Sequence, residues 1–300
     1  MPRPERGQTP QGFRIQLLQR LNNAAMARGL DPARLQQQVA FERFLARLAG
    51  ADDWVLKGGF ALQLRYGLLT RPTRDIDLRT VRSLQEALGR LRRAVAESTT
   101  ADQFTFALGE VGQELQGAPG GSLRVRVVAR IAGVDLSVFH VDLSSGDALV
   151  AAPEMLRGSD LLAFAGLPPV EFPVYPVEQH LAEKLHAYTL PRQDENTRVK
   201  DLVDLAYIAG RDRVDGDHLT AAVQATFDAR TTHPLPARLP EPPDSWTRPF
   251  ARIAAEVPGG SVTDLPAGFA LAAGFWDPLL GGQVAGRRWS AAGRRWEATA

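Results

Sequence analysis

The chain has 300 residues, enough for two domains or one elaborated domain with ample core. Its 35 Lys and Arg against 34 Asp and Glu leave a net charge of +1, so no global field draws it to nucleic acid and any basic surface must be local. The absence of cysteine excludes disulfides, thiolate zinc sites and a cysteine nucleophile, and suits a reducing cytoplasm.

The opening MPRPERGQTPQGF has no apolar run of the signal-peptide kind, and no segment approaches the length of a membrane span. A soluble, cytoplasmic protein without membrane association is therefore expected. In chain order, residues 1–50 read as an N-terminal helical segment. Phe13, Ile15, Leu17, Leu18 and Leu21 form one apolar stripe and Leu35 to Leu48 a second, with Asp31-Pro32 as cap and first helical residue. Residues 51–150 read as the core domain. Ser83 to Glu97 is a basic amphipathic helix, and from Phe104 to Leu143 the period shifts to two, giving two or three antiparallel strands joined near Gly120–Gly121 and Gly133.

Short helices and loops are expected up to about Pro176, within a helical domain spanning 151–230. Residues 231–300 read as a Pro-rich connector followed by a helical cap built on Trp246, Phe250, Ile253, Phe275, Trp276 and Leu279. The final GRRWSAAGRRWEATA is expected to be a frayed, solvated end, although its arginines (Arg287, Arg288, Arg294, Arg295) are of the kind that touch nucleic acid.

The most informative stretch is KGGFALQLRYGLLTRPTRDIDL, Lys57 to Leu78. Val55–Leu56 ends a buried strand, Gly58–Gly59 turns out of it, and Phe60 to Tyr66 forms a short helix. Glycines at such a turn let the backbone approach a ligand, and the helix start offers free amides and a positive dipole end to phosphate. After a basic loop with Arg71 and Arg74 comes Asp75-Ile76-Asp77-Leu78. Residues two apart on a strand share a face, so both carboxylates point one way while Ile76 and Leu78 enter the core. Paired carboxylates of this kind call for a cation, and Mg²⁺ completes its shell with substrate phosphate oxygens. A third carboxylate would complete a two-metal centre. Asp142, in HVDLSSGD, is the best placed; Asp135 falls on the opposite face of a regular strand, and Asp147 lies past the strand end.

The order strand, Gly-Gly, helix, basic loop, Asp-x-Asp strand resembles the nucleotidyltransferase signature of the DNA polymerase β superfamily. In that superfamily the second glycine is often serine. Gly59 therefore removes a hydroxyl that phosphate could touch, leaving the work to backbone amides. A second block, PVEQHLAEKLHAYTLPRQDENTRVKDLVDLAYI, puts Lys184 on one helix, and Arg198, Lys200, Asp201 and Asp204 at the start of the next. Asp201 and Asp204, three apart, share a helical face. By themselves these would be a charged surface; His140 and His186, with no partner at metal-ligand spacing, read as satisfied surface histidines.

With KGGFALQL, TRDIDL, VDLSSGD, AEKLHA and RVKDLVDL together, roughly residues 50–210 resemble the AbiEii/AbiGii toxin family, which includes the mycobacterial MenT toxins. The resemblance implies an α+β, bilobed fold: a polymerase-β-like nucleotidyltransferase core of mixed sheet flanked by helices, with a helical C-terminal domain. It implies a toxin of a toxin–antitoxin or phage-defence system that transfers nucleotides from NTP to the 3′ end of tRNA, Mg²⁺-dependently, and so blocks translation. Carried onto this chain, Asp75 and Asp77 bind metal, with Asp142 as a possible third ligand. Gly58 and Gly59 cradle phosphate, Lys57 and Arg198 support it, Lys184 contacts the triphosphate, and Asp201 is the essential acid of the last motif, with Asp204 competing for that role. The implied partners are NTP, tRNA or another RNA acceptor, and a cognate AbiEi-like antitoxin. Transfer to a small molecule or to a protein, or an inert binder on the same fold, are the alternatives.

Overall fold

A computed structural model describes residues 9–50, 54–96, 102–112, 119–146, 149–191, 198–258, 260 and 262–299. Asp147 lies outside the described residues. The chain divides into two compact units. One comprises Met1–Arg65, Thr73–Gly146 and Pro153–Val174, the other Tyr66–Pro72, Asp147–Ala152 and Tyr175–Ala300.

The first unit opens with helices α1 (Pro10–Met26) and α2 (Pro32–Leu45). Each starts as its sequence dictates: Thr9 and Asp31 accept hydrogen bonds from Gly12 N (3.1 Å) and Ala33 N (2.9 Å), and proline takes the first helical position. In α1 the buried residues are Phe13, Leu17, Leu21 and Ala25. Their spacing of four leaves Ile15 on the other side, 67% exposed, so it does not belong to the stripe expected for it.

Next come β1 (Trp54–Lys57), α3 (Gly58–Tyr66), β2 (Asp75–Thr80) and α4 (Leu84–Ala96), the last started by a reciprocal Ser83–Glu86 capping box. Strands β3 (Phe104–Gly112), β4 (Ser122–Ile131), β5 (Val134–Ser145), β6 (Glu154–Arg157) and β7 (Glu171–Val174) complete a seven-stranded sheet of order β3-β4-β5-β2-β1-β7-β6. It is mixed: β2 runs parallel to β5 and β1 to β7, while the other neighbours are antiparallel. One face buries Leu56, Ile76, Leu78, Val125, Val127, Val141 and Leu143 together with Phe41 and Phe44 of α2, Phe60 of α3 and Leu91 of α4. This is the mixed sheet flanked by helices that the sequence implied. Strands β6 and β7 correct the expectation of short helices and loops before Pro176. They are four residues each, β6 is an edge strand exposed at every second residue, and Pro173 interrupts the donors of β7.

The second unit holds α5 (Val177–Thr189), α6 (Val199–Ala209), α7 (Gly216–Arg230), α8 (Thr247–Ala255), α9 (Leu265–Leu280) and a hairpin of β8 (Arg287–Ser290) and β9 (Arg295–Ala298). Residues 232–243 are irregular, as their prolines require. The hairpin replaces the frayed end. Trp289 and Trp296 face each other across it, both pack on Phe275 of α9 with centroids 5.0 and 5.2 Å away, and their indole N–H groups donate to Ala209 O (2.7 Å) and Phe275 O (2.9 Å). Two aromatic anchors thus fix the ends that composition alone left as a basic tail. Among the described residues no helix is long and apolar enough to cross a membrane.

Trp289 is 1% exposed. Trp289→Ala is expected to cost about 3–5 kcal/mol in urea unfolding followed by far-UV circular dichroism. A frayed tail would show no change.

Candidate active site

The polar face of the first unit's sheet is organised by register. Lys57, Asp77, Asp142 and Arg124 stand opposite one another across β1, β2, β5 and β4, and Asp75, His140 and Arg126 form the next row. Paired residues on neighbouring strands point to the same side, so the alternation that buries Ile76 and Leu78 presents Asp75 and Asp77, both half-buried, to one surface. Gly58 follows Lys57 at once, with φ +68°. A Cβ there would lie 1.9 Å from Asp77 Oδ2, so the Asp77 carboxylate occupies the space that any other residue would fill.

Gly59 has a different neighbour. Its Cβ would lie 2.7 Å from Thr73 Oγ1, and Thr73 also donates to Asp75 O at 3.3 Å. The Thr73 side chain therefore crowds the space that a side chain at position 59 would enter, and brings a hydroxyl close to the turn. Sequence reading passed over Thr73; the available signal was a hydroxyl residue two before Asp75.

Asp142 has both oxygens engaged. Arg124 Nε donates to Oδ1 at 2.8 Å and Nη2 to Oδ2 at 2.6 Å, a bidentate pair, and the same Nη2 lies 3.7 Å from Asp75 Oδ2. The hydrogen bond to Asp142, more than the opposing burial, raises the Arg124 pKa above its ordinary value, with the charges of Asp142, Asp75 and Asp77 adding to it. His140 Nδ1 is 3.7 Å from Asp75 Oδ1, so this histidine neighbours the candidate ligands rather than standing apart. Asp75 and Asp77 fit a hard divalent cation: two carboxylates presented to one face of the sheet beside a glycine turn. Among the described residues no group of three or more His, Cys, Asp or Glu is arranged to hold a metal.

The second unit gathers the other block. Lys184, buried on α5, donates to Asp204 Oδ2 at 2.7 Å and lies 3.5 Å from Asp201 Oδ1. Asp204 also accepts two bonds from Arg71, Nε at 3.0 Å and Nη2 at 2.8 Å. Asp201 is less engaged: Arg198 Nη1 is 3.6 Å from its Oδ2, and that buried oxygen has no hydrogen-bond partner among the described residues. The two acids thus separate, Asp204 hydrogen-bonded to both Lys184 and Arg71 while Asp201 makes only longer contacts with Lys184 and Arg198. His186 is buried, 2.8 Å from Thr232 Oγ1 and 3.3 Å from Arg230 Nη1, a satisfied interior histidine rather than a surface one.

Burial pushes the Asp204 carboxyl up, but Arg71 and Lys184 overcome it and hold the pKa at about 2. Burial likewise works against the Lys184 charge, and Asp204 and Asp201 outweigh it, raising that pKa despite the opposing Arg71. The Asp204 contribution is complete above its ordinary value of 3.8 and is lost as pH falls through about 2. The Lys184 contribution runs the other way, present below the ordinary lysine range and lost above it. Between about pH 4 and pH 2 the second unit is expected to lose about 2 kcal/mol, read as a falling urea midpoint. Asp204→Asn is expected to remove that acid limb and to cost about 3–5 kcal/mol at neutral pH, because it leaves buried cations unpaired.

No curated protein matches the chain. Among solved structures it is similar to the nucleotidyltransferase toxin MenT4 of Mycobacterium tuberculosis H37Rv, with 20% identity and a TM-score of 0.51 over 68% of this chain and 67% of that one. It is also similar to a protein from H. pylori described as a nucleotidyltransferase, with 17% identity and a TM-score of 0.50 over 85% of this chain and 98% of the other. Both likenesses concern the fold. The profile of the nucleotidyl transferase AbiEii toxin family, of type IV toxin–antitoxin systems, matches residues 40–271, taking in the Gly-Gly turn, the Asp-x-Asp strand and the Lys184–Asp201 block, and the chain belongs to that family.

Proposed function

We propose that this nucleotidyltransferase toxin moves a nucleotidyl group from an NTP to the 3′ end of tRNA in the cytoplasm, and that an AbiEi-like antitoxin opposes it. The observation that carries the reading is the pairing of Asp75 and Asp77 on one face with the Asp77 carboxylate seated against Gly58. The ribose 3′-hydroxyl oxygen forms a bond to the α-phosphorus, the bond to pyrophosphate breaks, and the hydroxyl proton is released. Asp75 and Asp77 would hold Mg²⁺, which would supply positive charge to the phosphate oxygens and lower the pKa of the attacking hydroxyl.

The chain's own residues do the rest. The free amides at the start of α3 and the Thr73 hydroxyl receive phosphate oxygens, with Lys57 as a supporting cation. Lys184, kept protonated by Asp204, is assigned to the negative charge that builds on the leaving pyrophosphate, with Arg198 as a second contact. Asp201, 3.5 Å from Lys184 and 3.6 Å from Arg198, orients those two cations. Both neighbouring acids are needed because a buried lysine without them would shed its proton.

The test is purified protein with Mg²⁺, total tRNA and each α-labelled NTP in turn. Wild-type protein is expected to label tRNA with one preferred nucleotide, and Asp77→Ala to abolish labelling. Lys184→Met is expected to lose about 10²-fold in rate, and Thr73→Val about tenfold, the worth of one hydrogen bond. Label on a small molecule or protein acceptor, with tRNA unmarked, would sink the RNA reading while leaving nucleotidyl transfer in place.

A further inference from the structure

The sheet carries three carboxylates in adjacent positions, Asp75, Asp77 and Asp142, which in a two-metal centre would bind two divalent ions. Arg124 changes that arrangement. Its guanidinium grips both oxygens of Asp142 and reaches past β5 to within 3.7 Å of Asp75 on β2. The planar fork engages both oxygens of Asp142, which makes it a poorer metal ligand, and puts a permanent positive charge beside the Asp75–Asp77 pair. Arg124 and Lys57, in the same row, already offset most of the charge of the three carboxylates, so one divalent ion exhausts what is left and a second would leave a large excess of positive charge among close neighbours.

We propose that Arg124 stands in for the second cation, so that this site works with one divalent ion held by Asp75 and Asp77, and Asp142 serves to position Arg124 rather than to bind metal. The inference rests on the nucleotidyl-transfer reading of the site. The Arg124 guanidinium, fixed by Asp142 and partly exposed, is then the fixed cation facing the α-phosphate while the single metal serves the remaining oxygens. A lysine there would keep the positive charge beside Asp75 but could not engage both Asp142 oxygens in one plane.

The experiment counts metal, needing neither nucleotide nor acceptor: Mn²⁺ is titrated into the full chain at neutral pH and free Mn²⁺ is followed by electron paramagnetic resonance. Wild-type protein is expected to take up one Mn²⁺, and Asp75→Asn to weaken it at least about tenfold. Arg124→Gln, by freeing Asp142 and removing a positive charge, is expected to admit a second Mn²⁺ or tighten the first at least about tenfold. The double variant Arg124→Gln/Asp142→Asn is expected to return to a single Mn²⁺ at near wild-type affinity. Thermal melts of each variant check folding, and Arg124→Lys, which keeps the charge, is expected to remain at one Mn²⁺. Two Mn²⁺ on the wild-type chain, or an Arg124→Gln chain with unchanged count and affinity, overturns the inference. Either result can coexist with labelled tRNA, and one Mn²⁺ with no labelling would instead count against the proposed function.

Discussion

A side chain at position 58 and the carboxylate of Asp77 cannot occupy the same space, and the first unit is arranged around that exclusion. With only hydrogen at Gly58, β1 can end beside β2 in the register that sets Lys57 opposite Asp77. The positive φ of Gly58 turns the chain at once into α3, so the free amides of a helix start emerge one residue after the strand. Phe60 and Ala61 then lock the helix to the core behind the sheet. Turn, helix start and carboxylates are thereby held by rigid elements, the condition under which positioning contributes to rate.

Charge is handled locally throughout. In the first unit Asp102, fully buried, accepts from both Arg43 and Arg47, tying α2 to the start of β3. In the second unit Lys184 is buried with two acids and Arg71 nearby. Buried ion pairs of this kind add little to stability against an apolar equivalent, because desolvation offsets their attraction. The two networks differ in what they leave over. Around Asp102 its oxygens are taken by Arg43, Arg47 and the Phe104 amide, as befits a structural joint. Around Lys184 a buried carboxylate oxygen on Asp201 has no hydrogen bond among the described residues and only Arg198 at 3.6 Å. The second network is therefore less fully paired than the first.

The parts of the fold legible in the sequence are those written in short-range geometry. Alternation put Asp75 and Asp77 on one face and Ile76 and Leu78 in the core, and Asp31 and Ser83 marked helix starts by side chains that reach only two or three residues ahead. The β3–β4–β5 strands announced themselves by a sustained period of two. Strands β6 and β7 did not, because four residues at a sheet edge show too few alternations to register. The C-terminal hairpin was hidden by its arginines: four basic residues outweighed two tryptophans in composition, while in the fold the tryptophans decide where the segment lies.

The least legible features are pairings between distant positions. Arg124 and Asp142 are 18 residues apart, Arg71 and Asp204 133 apart, and nothing in either local pattern names the other. Yet these pairings decide which acid does what. Asp142 was read as a metal ligand because its strand neighbours Asp75 and Asp77, and that adjacency holds. The strand on its other side was not weighed, and it brings Arg124 into the same row. Likewise Asp201 and Asp204 are equivalent on a helical face until Arg71 arrives and saturates one of them. In both cases spacing along the chain locates a carboxylate, but only the cation packed against it settles whether its oxygens are available. How far an acid's oxygens are engaged in this protein therefore depends on the arginine packed against it as much as on the acid's own position.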